Sequence, residues 1–550
     1  MSNTDMVTLT YDLNSLPTAQ HKAGLAGFVM LIESMERRGI EPRPRIAEVT
    51  PHGATFAFTR EELQALFDDF YDAMLIEVAR KSKWANMQEK RIEEEILTAE
   101  DGSTKTEKRY VYDLFQPKGI YLTAYYPDDG NGPWLKLWRD MLWATLRGIP
   151  KTRTPYQERL DGKNVSLSTK VFDSLSKSTE ARSKGKTLTE SISSSMFIGA
   201  QNVSAEKVPF VGLVEHNLLL HFWTVVSLYY VPRILKRDGK LETKGFVIVI
   251  PEPADLNAFI EDVQVLLKEL DPDISGFRPK ASLIDVPEEG GLEYLCQFTL
   301  KKIKESVISY SIASVELYHL HKQGNNIKNL SADRIIPGRY IIENYNDLRT
   351  KISNPLYKAM RIGNLLADKP WYAGAEELFN AWPREMFVAK QDDPPRYFYS
   401  FGGDVRKKFK DIEEDQKFRG GDTLAEQTDD RLALHVYRLI RAYVNYKSEA
   451  KSGKNYDDFK NNQDDKGKVI YPREYAEARG RVCTDAFLAM RGRRDQNFIE
   501  YFTGTICSVP QWLPEEDYLA VSQALISEWE KVKTLSMLAL SAHSYAGRNS

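Results

Sequence analysis

The sequence predicts an α+β protein: a mixed α/β N-terminal domain over residues 1–355, followed by an all-α C-terminal helical bundle over 356–550. Three observations carry this expectation. Strand-type runs fall in the first part, alternating at 7–11 and continuously apolar at 246–250 (FVIVI). They stop near Pro355. Beyond it, amphipathic helical patterns follow one another.

In chain order, 7–11 reads as a strand, 17–38 as a helix and 54–58 as a second strand. Thr59 then caps a long helix over REELQALFDDFYDAMLIEVARKSKW, with Leu63, Leu66, Phe67, Phe70, Met74 and Val78 on one face. Residues 91–97 and 109–115 flank the turn signal Asp101-Gly102 and predict a charged hairpin. Residues 164–195 hold 14 Ser or Thr and few large apolar side chains, which predicts a loop or mobile insertion. The run 209–232 predicts a buried amphipathic helix. After the strand 246–250 come a helix over 254–270, a strand over 292–300 and a helix over 303–321. In the bundle, helices are expected over 356–367, 375–390, 423–448, 472–491 and 515–542. The segments 391–396 (QDDPPR) and 451–468 are the expected loops between them.

Composition narrows the function. The 550 residues carry 75 Lys and Arg against 78 Asp and Glu, so a nucleic-acid surface must come from local clustering and not from a global excess. Cys296, Cys483 and Cys507 lie far apart, leaving no CxxC metal pair and no disulfide framework; the chain reads as intracellular and reduced. MSNTDMVTLTYDL lacks the basic and apolar regions of a signal peptide. The apolar run 209–232 contains Glu215, His216, Asn217 and His221, costly groups in a bilayer, so a soluble, cytoplasmic protein without a membrane partner is expected.

Catalytic patterns are near-misses. Gly185-Lys186-Thr187 resembles the end of a phosphate loop, but the required first glycine is Glu180. His319 and His321 fall on an expected helix without HExxH spacing. There is no GxGxxG and no nucleophile elbow. No catalytic residue, metal site or cofactor is expected.

Charge clusters say more. Residues 147–186 hold ten basic and four acidic side chains, with Lys151, Arg153, Lys163, Lys184 and Lys186 spaced among serines and threonines that can hydrogen-bond phosphate. Residues 436–494 hold fourteen basic and eight acidic side chains. There Arg431, His435, Arg438 and Arg441 share one helix side, and Arg473, Arg479, Arg481, Arg491, Arg493 and Arg494 follow. Between the clusters, MFIGAQNVSAEKVPFVG carries Gln201, Asn202 and Lys207, which can bond base edges or phosphate; turn and capping duty is the alternative.

The segments YDLNSLPTAQHKAGLAGFVMLIESM and FIGAQNVSAEKVPFVG, with a mixed domain preceding a bundle, resemble the large subunit of a type I CRISPR effector complex, Cascade. More narrowly, the resemblance is to the myxobacterial or cyanobacterial form near subtype I-B. It implies a non-catalytic subunit of an RNA-guided complex that recognises the protospacer-adjacent motif in duplex DNA. It also implies promotion of unwinding and R-loop formation, guidance of the displaced strand and recruitment of the helicase-nuclease. The implied partners are CRISPR RNA, target double-stranded DNA and the backbone and guide-end subunits. Carried onto this chain, Gln201, Asn202 and Lys207 become the motif readers or wedge. Lys151, Arg153, Lys163, Lys184 and Lys186 become the DNA-backbone grip, and Arg438, Arg441, Arg479, Arg481, Arg491 and Arg494 the displaced-strand track. Related systems make a small subunit from an internal start; Met360 or Met386 would give products of 191 or 165 residues. The competing readings are a metal-dependent nuclease with scattered ligands, separable by EDTA in a cleavage assay, and a protein-only scaffold.

Overall fold

The computed structural model describes the chain except residues 1–5, 85–86, 99–103, 127–130, 149–151, 193–195, 199–209, 305–310, 325, 389–400, 419–425, 464–468, 510–513 and 545–550. It divides into two compact units, one of Met1–Arg233 with Thr243–Ile342, the other of Ile234–Glu242 with Glu343–Ser550. The first mixes helices and strands, and the second is helical, as the fold class required.

In the first unit the central element is helix Ala19–Arg37. Thr18 caps it by accepting from the His21 N–H, and fifteen of its residues are buried. Two glycines explain how it sits so deep. A Cβ on Gly24 would lie 2.1 Å from the Leu219 carbonyl oxygen, and one on Gly27 2.2 Å from that of Phe222. The helix therefore meets the 219–222 backbone at a distance no side chain permits.

Beside it lie two sheets. Strands Met6–Asp12, Gly53–Thr59 and Arg45–Thr50 form an antiparallel sheet in that order. In the larger sheet, Leu228–Leu235, Phe246–Pro253, Ile312–Gln323 and Asn326–Ile335 are successive antiparallel neighbours, and Leu283–Ile284 adds in parallel. Val247, Ile248, Val249 and Ile250 are all fully buried, as a strand covered on both faces demands. Helix Pro287–Lys304 covers this sheet.

Four expectations need correction. The helix begun at Thr59 has its capping box, yet it ends at Phe70, and Ala73–Arg80 is a strand paired with Thr104–Pro117. Phe70, Met74 and Val78 are four apart, a spacing that satisfies the helical period and the strand period alike. Residues 292–300 are helical, not extended. Helix Pro287–Lys304 is buried on most sides, so it shows no amphipathic period, and its Gly290-Gly291 is a site of close packing, with an added Cβ at Gly291 2.8 Å from Leu317 Cδ2. Ile312–Gln323 is a strand where a helix was expected, its burial alternating against two antiparallel partners. Residues 209–232 do not form one helix: strand Val211–Leu213, helix Val214–Leu219 and strand Leu228–Leu235 share that run.

In the second unit, helix Trp529–Ser544 is buried without interruption from Val532 to His543. Helices Phe401–Phe418, Glu426–Ser452, Arg473–Arg491 and Glu515–Ser527 pack around it. Gly402 lets the first of these approach, since a Cβ there would sit 2.2 Å from the Ser541 oxygen. Helix Pro355–Leu366 is capped by Asn354, whose Oδ1 accepts from the N–H groups of Leu356 and Tyr357. Residues 515–542 form two helices that break at Glu528, and Phe401–Phe418 has no counterpart among the expected helices. Among the described residues no helix is long and apolar enough to cross a membrane.

Candidate nucleic-acid interface

The Ser/Thr-rich segment is not a loop. Residues Ser166–Ser183 form an eighteen-residue helix whose inner stripe is Ser168, Phe172, Leu175 and Ser178. Few large apolar residues suffice because the buried serines are satisfied. Ser168 Oγ donates to the Val165 oxygen at 2.8 Å, and Ser178 Oγ to Glu215 Oε1 at 2.9 Å. Arg60 fixes the outer edge, pairing with Asp173 at 2.7 Å while its guanidinium carbon lies 4.7 Å over the Phe172 ring.

Glu215 is the anchor of this region. Its buried carboxylate takes Ser178 and, at 3.0 Å, Arg182, while its backbone oxygen accepts from the Tyr11 hydroxyl at 2.8 Å. Burial and the Glu215 charge push the Tyr11 phenol well above its ordinary pKa, so it stays a donor. Lys170 and Lys177, two turns apart, are left on the exposed face of the helix.

The helix ends in a Schellman turn. Gly185 has φ +68°, its N–H donates to the Arg182 oxygen, and the Lys186 N–H reaches the Ala181 oxygen at 2.9 Å. The Gly185-Lys186-Thr187 resemblance to a phosphate loop is thus a helix C-cap. Lys184 is exposed and paired with Glu180 at 2.6 Å, and Lys186 is exposed. Lys163 lies 3.5 Å from Asp161, and Arg153 is exposed before helix Thr154–Leu160. Lys151 lies outside the described residues.

After the turn, strand Thr189–Ser191 pairs with Val211–Leu213. The segment these strands bracket contains Gln201, Asn202 and Lys207, all outside the described residues. Its entry is pinned to the core. Trp223 Nε1 donates to the Met196 oxygen at 3.0 Å, and the fully buried Gln20 amide bonds both backbone groups of Ile198. His21, next along the helix, lies with its ring 6.0 Å from Phe197 and 6.1 Å from His216. Burial, helped by His216, lowers its pKa to about 4. Gln20 and Glu215 were not among the expected functional residues; Glu215 had a sequence signal, a charged group inside an otherwise apolar run, while Gln20 stands among the polar neighbours Thr18, His21 and Lys22. The two segments that carried the family resemblance therefore pack on each other, through Gln20 with Ile198 and His21 with Phe197.

In the second unit the expected arginine stripe separates. Arg438 and His435 both face the buried Asp517, so that side of the helix packs against Glu515–Ser527. Arg491 is half-buried and donates to the Asn380 and Trp382 oxygens. Arg479 is 3% exposed, bound to His543 and Tyr471, and cannot itself track a strand across the surface. Spacing alone put it on the stripe, whereas packing turns it toward helix Trp529–Ser544, where it bonds His543. Arg441, Arg481 and Arg494 are exposed. The paired histidines lie on a strand, and His319 Nε2 bonds the Lys244 oxygen at 2.7 Å. Met360 is on helix Pro355–Leu366, and Met386 is buried in a 3₁₀ turn.

A comparison with curated proteins finds no match. Family models match nearly end to end: the type I-B CRISPR Cas8b N-terminal domain over residues 44–307 and the Cas8b C-terminal domain over residues 312–543.

Proposed function

The chain belongs to the Cas8b family of type I-B CRISPR systems, the large subunit of their Cascade complex, and from that membership we propose that it reads the protospacer-adjacent motif in duplex DNA and carries no catalytic step. In this reading Gln201, Asn202 and Lys207 meet the motif while Arg153, Lys163, Lys184 and Lys186, with Lys170 and Lys177, hold the phosphate backbone. The exposed arginines Arg441, Arg481 and Arg494 then guide displaced strand toward the helicase-nuclease.

The observation that supports it best is the pinned entry of the 192–210 segment beside the basic helix. A loop that reads base edges must be held to a fixed frame, and the Gln20 amide and the Glu215 node supply one. The lysines beside it give attraction without sequence preference, which the loop can then convert into a choice.

The test is binding of the assembled guide complex, with and without the chain, to duplexes with a randomised flanking segment. A flanking preference that depends on the chain and weakens in Gln201→Ala or Asn202→Ala is expected. Equal affinity and preference with and without the chain would sink the reading.

A further inference from the structure

Phe277 is the most exposed Phe, Tyr or Trp among the described residues, at 78%, and Ile274, three positions before it, is 63% exposed. Both belong to a minimal hairpin of the first unit. Strand Ile274–Ser275 pairs with Arg278–Pro279, and Gly276, at φ +66°, takes the first place of the two-residue turn between them. Single apolar residues scattered on a surface need no account. An aromatic ring held out rigidly on a tight turn does.

The hairpin is braced at its tip and at its base. The Arg278 guanidinium carbon lies 4.8 Å from the Phe277 ring centroid and 5.5 Å from that of Phe246, and the side chain pairs with Asp140 at 2.8 Å. Below the turn, Trp134 Nε1 donates to the Asp271 oxygen at 2.7 Å and the Lys280 N–H to the Asp273 oxygen at 2.7 Å. The Phe277 ring is therefore placed before any partner arrives, which lowers the ordering cost of binding.

The charges near the tip select the kind of partner. Glu269, Asp271 and Asp273 are exposed carboxylates on the approach to the hairpin. Arg278, the one cation between 269 and 279, is paired with Asp140, and Lys268 and Lys280 flank the stretch. An aromatic wedge that unstacks bases works beside cations that hold the phosphates. Here the carboxylates would repel those phosphates. An apolar pocket on a protein, rimmed by Lys or Arg, fits both the rings and the acids, and buried aromatic anchors dominate interfaces of that type.

We propose that the hairpin over 274–279 anchors the chain on a neighbouring protein subunit of its complex, with Phe277 and Ile274 entering an apolar pocket and Asp271 and Asp273 meeting its basic rim. The inference rests on membership of the complex and not on motif reading.

The test is the affinity of the full-length chain for the guide complex assembled without it, measured with no target DNA present. Phe277→Ser should weaken docking about thirtyfold, the size expected for loss of an aromatic hot spot. Phe277→Leu, which keeps an apolar anchor, should recover most of it. The unfolding temperature of the free chain should change little in either variant, because the ring lies in solvent there. Reversing both acids, Asp271→Lys with Asp273→Lys, gives the two classes of partner opposite signs: docking weakens against a basic rim and strengthens against the phosphates of the CRISPR RNA. Weaker docking in both Phe277→Ser and the double reversal is the expected result. Wild-type affinity in Phe277→Ser would overturn the anchor, and tighter docking on charge reversal would overturn a protein as its partner. Flanking preference is not read in this assay, so failure here and failure of motif reading are distinguishable.

Discussion

The side-chain amide of Gln20 bonds both backbone groups of Ile198, its Nε2 donating to the carbonyl at 2.9 Å and its Oε1 accepting from the N–H at 3.0 Å. The two residues are 178 positions apart in the chain. A strand would use the same pair of bonds; here one side chain replaces a neighbouring strand.

Gln20→Ala should strip both partners at once. Two buried backbone groups left unsatisfied cost about 1–3 kcal/mol each, so a loss of roughly 2–6 kcal/mol is expected in denaturant unfolding. If the segment reads DNA, flanking preference should fall while the salt dependence of binding stays, because every phosphate-facing lysine remains in place.

Gly24→Ala reverses the usual sign. In an exposed helix interior the change stabilises by about 1 kcal/mol. Here the new Cβ would meet the Leu219 oxygen at 2.1 Å, and overpacking of this kind costs about 1–3 kcal/mol. A lower unfolding midpoint for both Gly24→Ala and Gly27→Ala is the expected outcome.

Stability should also depend on pH through two buried histidines. Burial and His216 lower His21 to about 4, and burial with Arg147 lowers His221 to about 3. In the unfolded chain both protonate near 6.5, so below that pH the unfolded state binds more protons. Their contribution is complete above about pH 6.5 and is lost as pH falls toward 4, at up to about 1.4 kcal/mol per pH unit for each. Urea midpoints measured from pH 7 to pH 5 should fall, and His21→Gln should flatten the slope.

Much of this was legible in the sequence and some was not. The FVIVI strand, the Thr59 cap and the helical second unit follow from period and capping chemistry. The helix Ser166–Ser183 did not, because its inner stripe uses serines whose partners, Val165 and Glu215, include a residue far away in sequence. Arg479 misled for the same reason: helical spacing places it beside other arginines, but only tertiary packing shows that it points inward. Gln20, the residue that pins Ile198, looked like one more polar position in a helix.

Salt dependence offers a further check. Lys184→Gln with Lys186→Gln should lower the slope of log affinity against log salt by about 0.9 for each duplex phosphate that is no longer neutralised. The exposed Lys184–Glu180 pair, at 2.6 Å, offers little resistance to such a switch of partner. An unchanged slope would mean that these lysines face solvent in the complex.

An internal translation start is expected, at Met360. The core of the second unit includes Leu356, Tyr357, Trp371, Tyr372 and Phe379. A product from Met360 loses the first two, whereas one from Met386 loses all five. Mass spectrometry of the purified complex should find the 191-residue fragment; a 165-residue fragment, or none, would contradict this.

The long burial of helix Trp529–Ser544 bears on synthesis. It leaves the ribosome after every helix that packs around it, so those helices emerge without the surface that closes their core. At 5–20 residues per second, translating the roughly 200 residues of this unit takes on the order of 10–40 s. During that interval the apolar faces of Phe401–Phe418, Glu426–Ser452 and Arg473–Arg491 stand open to chaperones and to aggregation. A stop codon placed just before Trp529 should therefore yield an insoluble chain, even though it removes no residue of the candidate nucleic-acid surface.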